Sequence, residues 1–535
     1  MVITFYVRLV DNELYDLNER RTWLLVSAVI FDTTAIIAAC HIGSRRIRIY
    51  TNAALLFLLW LLCMADVLSL RFYGAYFNMK LISETQNLNG LGDSIMSLVH
   101  TSDYVVTVIY TLLSALYLSN IRKQKQYELK KCLVSLCVAL VAFILPYVHE
   151  RLNLFSTFEE QTARYNYDYC FERPHYGIAC GILKTAFADL MYLDATRPTT
   201  KQDKELMASD ARSSYPLYDQ IGKQNIIVIV IESLLSDVLK REGDKCVMPH
   251  LKQLADSSYY NPNMVSTAGP GYSSDGQLML MTGIMGHRAY VTVSHFTNNS
   301  FPGLGHIAKQ RNMTMALIEP TEENYWHQKD LCPEYGIDSL YYFDEWTTDE
   351  NVFQRAIEVT ECLKERPFFL SVLTISMHMP YKKQFEQALG ELDDNEATTD
   401  YLNYLSRCQY TDYHLGRFLD YLRKERILDN TLLFVISDHC VPLGELKYAS
   451  NGLTPMLPVI IHGLPSHIQP STSTTIYQQD LYPTLLDILA TKHPDYPQWQ
   501  GVGYSIFSDT PQEERWSQIR QQEFSEMLLE TDFTK

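Results

Sequence analysis

The chain carries no surplus of positive charge. Over 535 residues, 45 Lys and Arg stand against 62 Asp and Glu, a net charge of −17 at pH 7, and the pI is about 5.4. A protein built to grip a nucleic-acid backbone needs the opposite balance, so no nucleic-acid partner is expected. No internal repeat or low-complexity segment is present. No small-residue cleavage site follows the first apolar run, so that run does not read as a signal peptide. Hydrophobic residues make up 47% and charged residues 20%, which excludes wholesale disorder. The mean hydropathy of −0.12 averages two unlike halves.

Residues 1–149 hold four apolar runs: Trp23–Cys40, Ala53–Leu70, Tyr104–Ile121 and Cys132–Val148. Each is about long enough to cross a hydrocarbon core of roughly 30 Å as a helix. Arg45, Arg46 and Arg48 follow the first run; Arg122, Lys123, Lys125, Lys130 and Lys131 follow the third. The positive-inside rule places both loops in the cytoplasm. The long loop from Arg71 to Asp103 and everything after about residue 150 then lie outside. By the same count the N-terminus is outside, against the trend of Arg20 and Arg21, and residues 1–10 read as the stump of a further span. Asp32 and Asp66 sit within the apolar runs and are expected to serve structural hydrogen bonds inside the bundle.

Of the 11 cysteines, Cys40, Cys63, Cys132 and Cys137 fall in or beside the runs. Cys170, Cys180, Cys246, Cys332, Cys362, Cys408 and Cys440 belong to the outer half, where an oxidising compartment permits disulfides. Seven is odd, so at least one thiol is left over. Cys170 and Cys180 are the nearest pair.

Residues 150–222 read as a polar, Tyr-rich connector. From about residue 223 short β-branched runs alternate with amphipathic stretches: IIVIVIES (226–233), MALIEP (315–320), FFLSVLTIS (368–376), TLLFVISDH (431–439) and PVIIHG (458–463). Between them, residues 405–425 place Tyr410, Tyr413, Leu415, Phe418, Leu419 and Leu422 at roughly helical spacing. The alternation predicts an α/β sandwich with a mostly parallel central sheet over 223–535.

In such a sheet, sites form beyond the carboxyl ends of the strands. Glu232 ends the first run, His378 follows the third, and Asp438 and His439 end the fourth. Two carboxylates and an imidazole suit Mn²⁺, Zn²⁺ or Mg²⁺, with mixed O/N ligation leaning towards Mn²⁺ or Zn²⁺. A hydroxyl that doubles as nucleophile completes the set. The segment STAGPGYSSDGQLMLMTG (266–283) turns at Gly269, Pro270 and Gly271 and then offers Ser273, Ser274 and Asp275 at a helix start. There, backbone N–H groups and the dipole favour an anionic phosphate. A plain helix cap is the alternative use of these residues.

Taken in order, IVIES with Glu232, GYSSDGQ with Ser273, SMHMPY with His378, ISDH with Asp438 and His439, and YQQDLYPTLLDIL (477–489) resemble the alkaline-phosphatase/sulfatase superfamily. In particular they resemble its lipoteichoic acid synthase-like phosphoglycerol transferases. LRFYGAYFN (70–78) and LNGLGDSIMSLVH (88–100) are similar to the region between spans in the same enzymes. The resemblance implies a transmembrane helix bundle followed by an alkaline-phosphatase-like α/β sandwich. It further implies a ping-pong cycle in which Ser273 takes a headgroup phosphate from a membrane phospholipid. An envelope glycan or lipid then accepts the phosphoryl group. Glu232, Ser273, Asp438 and His439 would hold the metal, and His378 would contact the phosphate or move a proton. Ser274 is the rival nucleophile.

The family's headgroup pocket has an Asp, a Trp and an Arg. In EPTEENYWHQKD (319–330) Trp326 fits, Thr321 holds the Asp position, and Gln328 holds the Arg position. Losing a guanidinium removes a bidentate phosphate donor. Ser273 stands where Thr is usual, and Cys440 where Gly is frequent. A phosphoethanolamine transferase is the alternative, with Glu322 and Glu323 as an amine pocket; a non-catalytic envelope protein keeping the fold is another. A formylglycine sulfatase needs a C/S-x-P-x-R motif, which is absent.

Overall fold

The computed structural model describes residues 29–34, 44–73, 92–123 and 129–151 in the N-terminal part. Beyond them it describes 217–222, 225–243, 246–288, 291–296, 299–381, 399–441, 453–468, 470–510 and 514–531, with isolated positions elsewhere. The chain divides into two compact units, Met1–Thr85 with Leu91–Asp194, and Gln86–Gly90 with Ala195–Lys535. The expected connector 150–222, Cys170, Cys180, Arg20 and Arg21 lie almost wholly outside the described residues.

The first unit contains helices α1 (Arg45–Tyr73), α2 (Thr101–Lys123) and α3 (Leu129–Arg151). Two stretches, Arg46–Arg71 and Thr101–Lys123, are long and apolar enough to cross a membrane. Four spans were expected from the sequence; among the described residues two qualify. The fourth expected span falls in α3, whose described apolar part is shorter, Leu133–Ala142. The first lies mostly outside the described residues. Leu112, Leu113 and Leu116 of α2 are exposed, which suits a lipid-facing surface.

Polar contacts join α1 to α2. Arg71 forks onto Asp103, with Nη1 to Oδ2 at 2.7 Å and Nη2 to Oδ1 at 3.0 Å. Trp60 donates to the Thr107 hydroxyl and Tyr110 to the Leu56 carbonyl. Asp66 is buried and accepts the Phe77 N–H at 2.9 Å, the structural use expected of it.

The second unit is built on one eight-stranded sheet, ordered β4-β3-β5-β1-β6-β7-β2-β8. The strands are β1 (Asn225–Ile231), β2 (Tyr259–Val265), β3 (Thr314–Ile318), β4 (Ser339–Tyr341), β5 (Phe368–Leu373), β6 (Thr431–Ser437), β7 (Met456–His462) and β8 (Ile476–Tyr477). All pairings are parallel except those of β7 with β6 and β2. Every residue of β1 and β6 is buried, because helices cover both faces of a parallel sheet and unbroken apolar runs are what it needs.

Five strands match the five apolar runs. β2, YYNPNMV, escaped notice because Pro and Asn are poor strand formers. Pro262 is tolerated there because the register with β7 shifts between Asn261 and Met264, so the missing N–H falls at an irregularity. The expected amphipathic helix is α7 (Thr399–Lys424), which packs on α6 (Asp349–Leu363) through Phe353 and Phe418, ring centroids 5.9 Å apart. Shorter helices matter for the site: α4 (Pro249–Asp256), α5 (Ser273–Thr282) and α8 (Leu481–Leu489), with α9 (Gln518–Glu530) last.

Among the described outer cysteines, Cys246, Cys332, Cys362, Cys408 and Cys440 are all free thiols.

Candidate metal centre and nucleophile

The register of the sheet assembles the centre. β1 pairs with β6 in parallel, and the last matched pair is Ile231 with Ser437. The next residue on each strand, Glu232 and Asp438, therefore emerges side by side, about one strand spacing (~4.8 Å) apart. His439 follows at once. Donor atoms of Glu232, Asp438 and His439 all lie within 4.8 Å of one another, and all three residues are buried. His439 Nε2 is 3.4 Å from Glu232 Oε1 and 3.3 Å from Asp438 Oδ2.

The backbone fixes these side chains. Asp438 Oδ1 accepts the N–H groups of Ser233 and His439, each at 2.8 Å. Ser233 adopts φ 53° to turn its N–H inward, and its hydroxyl donates to Glu232 Oε1 at 2.8 Å. His439 Nδ1 lies 2.8 Å from the Cys440 carbonyl. A carbonyl only accepts, so Nδ1 carries a proton and Nε2 is the nitrogen that faces the cluster, the one that a metal would take in place of a proton.

Ser273 completes the group. It begins α5, and its Oγ is 3.3 Å from Glu232 Oε2 and 3.1 Å from His439 Nε2. Tyr272, just before it, is held at φ 42° with its ring edge-on to His439 at 4.9 Å. Ser274 points elsewhere: it is buried and donates to the Gly271 carbonyl at 2.9 Å. Asp275 is buried among glycines. Its Oδ2 accepts the Gly271 N–H at 2.8 Å, and a Cβ on Gly269, Gly271 or Gly286 would collide with its carboxylate. The turn is thus folded around one carboxyl group, which sets where Ser273 points.

Gly276 has a similar reason to be glycine. A Cβ there would run into the Asp438 carbonyl, which also accepts from the Gln478 amide. Gly276→Ala is expected to cost about 1–3 kcal/mol by overpacking and to weaken metal binding. Thermal unfolding and metal titration of the variant check this; an unchanged melting temperature and affinity would contradict the close packing.

The donor set fits a divalent cation. Two carboxylates side by side in a buried site need positive charge beside them. Burial opposes ionisation of Glu232, yet the His439 charge holds its carboxyl well below the usual range. Burial and then the Glu232 charge push Asp438 up to about 7. Burial opposes protonation of His439, but the charges of Asp438 and Glu232 raise it to about 9. Protons are doing what a cation does better. Borderline metals that accept mixed O/N ligands match these donors.

His378 lies beyond β5. Its Nδ1 is 2.6 Å from the Met379 carbonyl, which leaves Nε2 for other partners. Burial holds its imidazole below the usual value, against the pull of Glu232, so it is neutral near pH 7. Its loop is clamped by residues that the sequence did not flag. Arg407 Nη1 donates to the carbonyls of Ser376 and His378. Asp349 Oδ1 accepts from the N–H groups of Ile375 and Ser376. Trp346 stands edge-on to His378 at 5.0 Å and to Tyr325 at 5.5 Å, and Trp326 touches the same Tyr325 at 5.6 Å.

Gln328 is buried and donates to Gln277 Oε1 at 2.5 Å, one turn after Ser273 on α5. The position where the family has Arg thus sits against the helix that Ser273 begins, but as a neutral amide. Glu323, expected as part of an amine pocket in the phosphoethanolamine alternative, pairs with Lys329 at 2.9 Å on the surface. Cys440 is not among the clustered donors.

Glu319 ends β3 as Glu232 ends β1. Burial, and then the Glu232 charge, push its carboxyl from 4.5 up to about 8. Between those values the unfolded chain ionises while the folded chain stays protonated, so this group's contribution to stability falls as pH rises through the window. Glu319→Gln removes the titration. The melting temperature of the variant relative to the unsubstituted protein should therefore rise by a few degrees from about pH 5 to about pH 8. A difference that does not change with pH would contradict it.

Residues 224–491 match the sulfatase family, and residues 2–167 match the lipoteichoic acid synthase N-terminal domain. Lipoteichoic acid synthase 1 of Bacillus subtilis is 24% identical over 413 residues, covering 72% of this chain and 62% of that protein. The chain thus spans under two thirds of the length of the curated relatives it matches. Two solved structures are similar. Lipoteichoic acid synthase LtaP from Listeria monocytogenes has a TM-score of 0.47 at 17% identity, covering 57% of this chain and 81% of that one. Streptococcus pyogenes phosphoglycerol transferase GacH, in complex with sn-glycerol-1-phosphate, has a TM-score of 0.41 at 14% identity, covering 62% and 90%.

Proposed function

Given that the chain belongs to the sulfatase family and carries a lipoteichoic acid synthase-type N-terminal region, we propose that it is a membrane-bound, metal-dependent transferase. It moves a phosphoglycerol-type headgroup from a phospholipid to an envelope glycan or lipid. The single observation that carries this reading is the approach of the Ser273 hydroxyl to 3.3 Å from Glu232 and 3.1 Å from His439, at a helix start and beside a buried pair of carboxylates.

In this reading Ser273 Oγ attacks the phosphorus of the donor lipid while the bond to the diacylglycerol oxygen breaks. The hydroxyl proton leaves towards Glu232, the carboxylate it already faces. Diacylglycerol departs and a phospho-serine ester remains. An acceptor hydroxyl then attacks the same phosphorus, and Ser273 recovers its proton. His378, neutral and with Nε2 available, contacts the phosphate or carries the proton of the leaving or entering oxygen. Trp326 and Gln328 line the headgroup side. Glu232, Asp438, His439 and Ser273 would hold the cation, Mn²⁺ first with Zn²⁺ or Mg²⁺ as alternatives. The cation when bound supplies Lewis acidity that lowers the hydroxyl pKa and offsets phosphoryl charge. Arg45, Arg46 and Arg48 at the start of α1 and the basic loop after α2 support a catalytic domain outside the cytoplasmic membrane.

Intact-mass spectrometry after incubation with defined lipids tests the reading. Phosphatidylglycerol is expected to add about 154 Da, the phosphoglycerol ester, as a trapped covalent intermediate. A gain of about 123 Da from phosphatidylethanolamine instead would favour the phosphoethanolamine reading. No adduct with any lipid would favour a non-catalytic envelope protein.

A further inference from the structure

The turn that carries Ser273 is strained and rich in glycine. Tyr272 sits at φ 42° and ψ −108°, a conformation that a residue with a side chain keeps only where its surroundings impose it. Gly269 and Gly271, on the approach, add backbone freedom. Asp275 fixes the turn from within, and Asp275 is itself held down from the far side. The Gly286 backbone lies so close over its carboxylate that a Cβ there would fall 2.5 Å from Cγ, and a Cβ on Gly269 would fall 3.1 Å from the His287 carbonyl oxygen. Loop 285–288 and turn 269–275 are therefore pressed together around one side chain.

The loop is in turn gripped by α9, which lies beyond the residues that match the sulfatase family. Glu526 is 4% exposed. Its Oε1 accepts the Arg288 backbone N–H at 3.1 Å and Nε at 2.8 Å, and its Oε2 accepts Nη2 at 2.7 Å. Such a fork is charge-assisted and fixed in direction. One turn before it on α9, Gln522 donates to the Gly286 carbonyl at 2.8 Å and to Glu526 Oε1 at 3.1 Å. Ser525 Oγ accepts the Met285 N–H at 3.0 Å. Three side chains of one helix thus hold Met285, Gly286 and Arg288, each through a backbone group. Phe524, Met527 and Leu528 of α9 are buried and anchor the helix by apolar contact. The polar three add direction, which apolar contact does not supply.

We propose that Glu526 is a positioning residue for Ser273: by gripping Arg288 it holds loop 285–288 against Asp275, and so sets the Tyr272 backbone and the direction of the Ser273 hydroxyl. Its effect on turnover rests on the transferase reading above; the grip on the turn does not. The expected signature is a loss of turnover with lipid binding kept. Glu232, Asp438 and His439 stand at the ends of β1 and β6 and not on this loop, so the metal donors stay in place. A nucleophile misplaced by about 1 Å can cost about 10²-fold in rate.

The test uses the full chain in detergent at saturating metal, with fluorescent phosphatidylglycerol as substrate, beside hydrogen exchange of the same proteins. Glu526→Leu keeps bulk and loses the acceptors. It should lower kcat by about 30-fold or more while KM stays within about 3-fold. Glu526→Gln keeps an acceptor for Arg288 and should recover most of the loss, to within about 5-fold of the unsubstituted kcat. In Glu526→Leu, exchange should quicken by at least about 10-fold in peptides covering residues 269–276 and stay unchanged in those covering β1 and β6. If Glu526→Leu folds poorly, Gln522→Ala, which releases the Gly286 carbonyl, should show the same pattern in smaller measure. Exchange that does not quicken in 269–276 would overturn the proposal, and so would an unchanged kcat. Equally faster exchange across β1 and β6 would overturn it in favour of general support of the fold. If the unsubstituted protein turns over no lipid, the transferase reading falls, and exchange in 269–276 alone decides whether Glu526 holds the turn.

Discussion

Ser273→Ala is expected to lower headgroup release from a fluorescent phosphatidylglycerol by about 10⁴-fold or more, since losing a covalent nucleophile removes the whole two-step route. The fold should survive. Ser273 is only part-buried at the start of α5, and the turn before it is held by Asp275 and Ser274 through Gly271. Ser273→Thr keeps a hydroxyl in place and should keep measurable turnover. Ser274→Ala loses only the bond to the Gly271 carbonyl and should stay far closer to the unsubstituted rate than Ser273→Ala. Activity that survives in Ser273→Ala and dies in Ser274→Ala would move the nucleophile by one residue.

The second large effect concerns the cation. Glu232→Gln, Asp438→Asn and His439→Ala each remove one donor from a cluster whose atoms lie within 4.8 Å of one another. Even groups that only orient metal ligands are worth about 10–100-fold in affinity, so each substitution should weaken metal binding by at least about 10²-fold. Glu232→Gln has a second consequence, because it also removes the carboxylate that faces the Ser273 hydroxyl. Its turnover should remain low even at metal concentrations that refill the site. Cys440→Ser should leave the metal content unchanged. Metal analysis of the purified variants decides; full occupancy in all three would remove the basis for the centre.

Much of this was legible in the sequence because parallel sheets concentrate their chemistry at one edge. Glu232, His378, Asp438 and His439 each follow an apolar run, and those runs became β1, β5 and β6. Glu319 carried the same signal at the end of MALIEP. It drew no attention because nothing in one sequence shows that its Oε2 is buried without a partner. The strands with weak patterns were not legible. β2 hides Pro262 and two asparagines at a register shift, and β4 and β8 are three and two residues long.

The supports of the site were harder to see. Arg407 and Asp349 come from helices distant in sequence, and their value lies in backbone groups they hold near Ser376 and His378. Asp275 read as one of several possible caps; only the structure shows three glycines making room for its carboxylate. Gln328 read as a lost arginine, yet it still reaches the helix that Ser273 begins through Gln277. In the membrane unit, hydropathy exposed α1 and α2 directly, whereas the pairing of Arg71 with Asp103 depends on a helix contact that no local pattern encodes.

In the proposed reaction a phosphorus atom passes through one serine held by a cation site. Peptide mapping of the protein after brief incubation with phosphatidylglycerol, with and without prior chelation, tests this most directly. The headgroup phosphate should be found on Ser273 in the metal-loaded protein and nowhere after chelation. A modification on another residue, or one indifferent to removal of the metal, would contradict it.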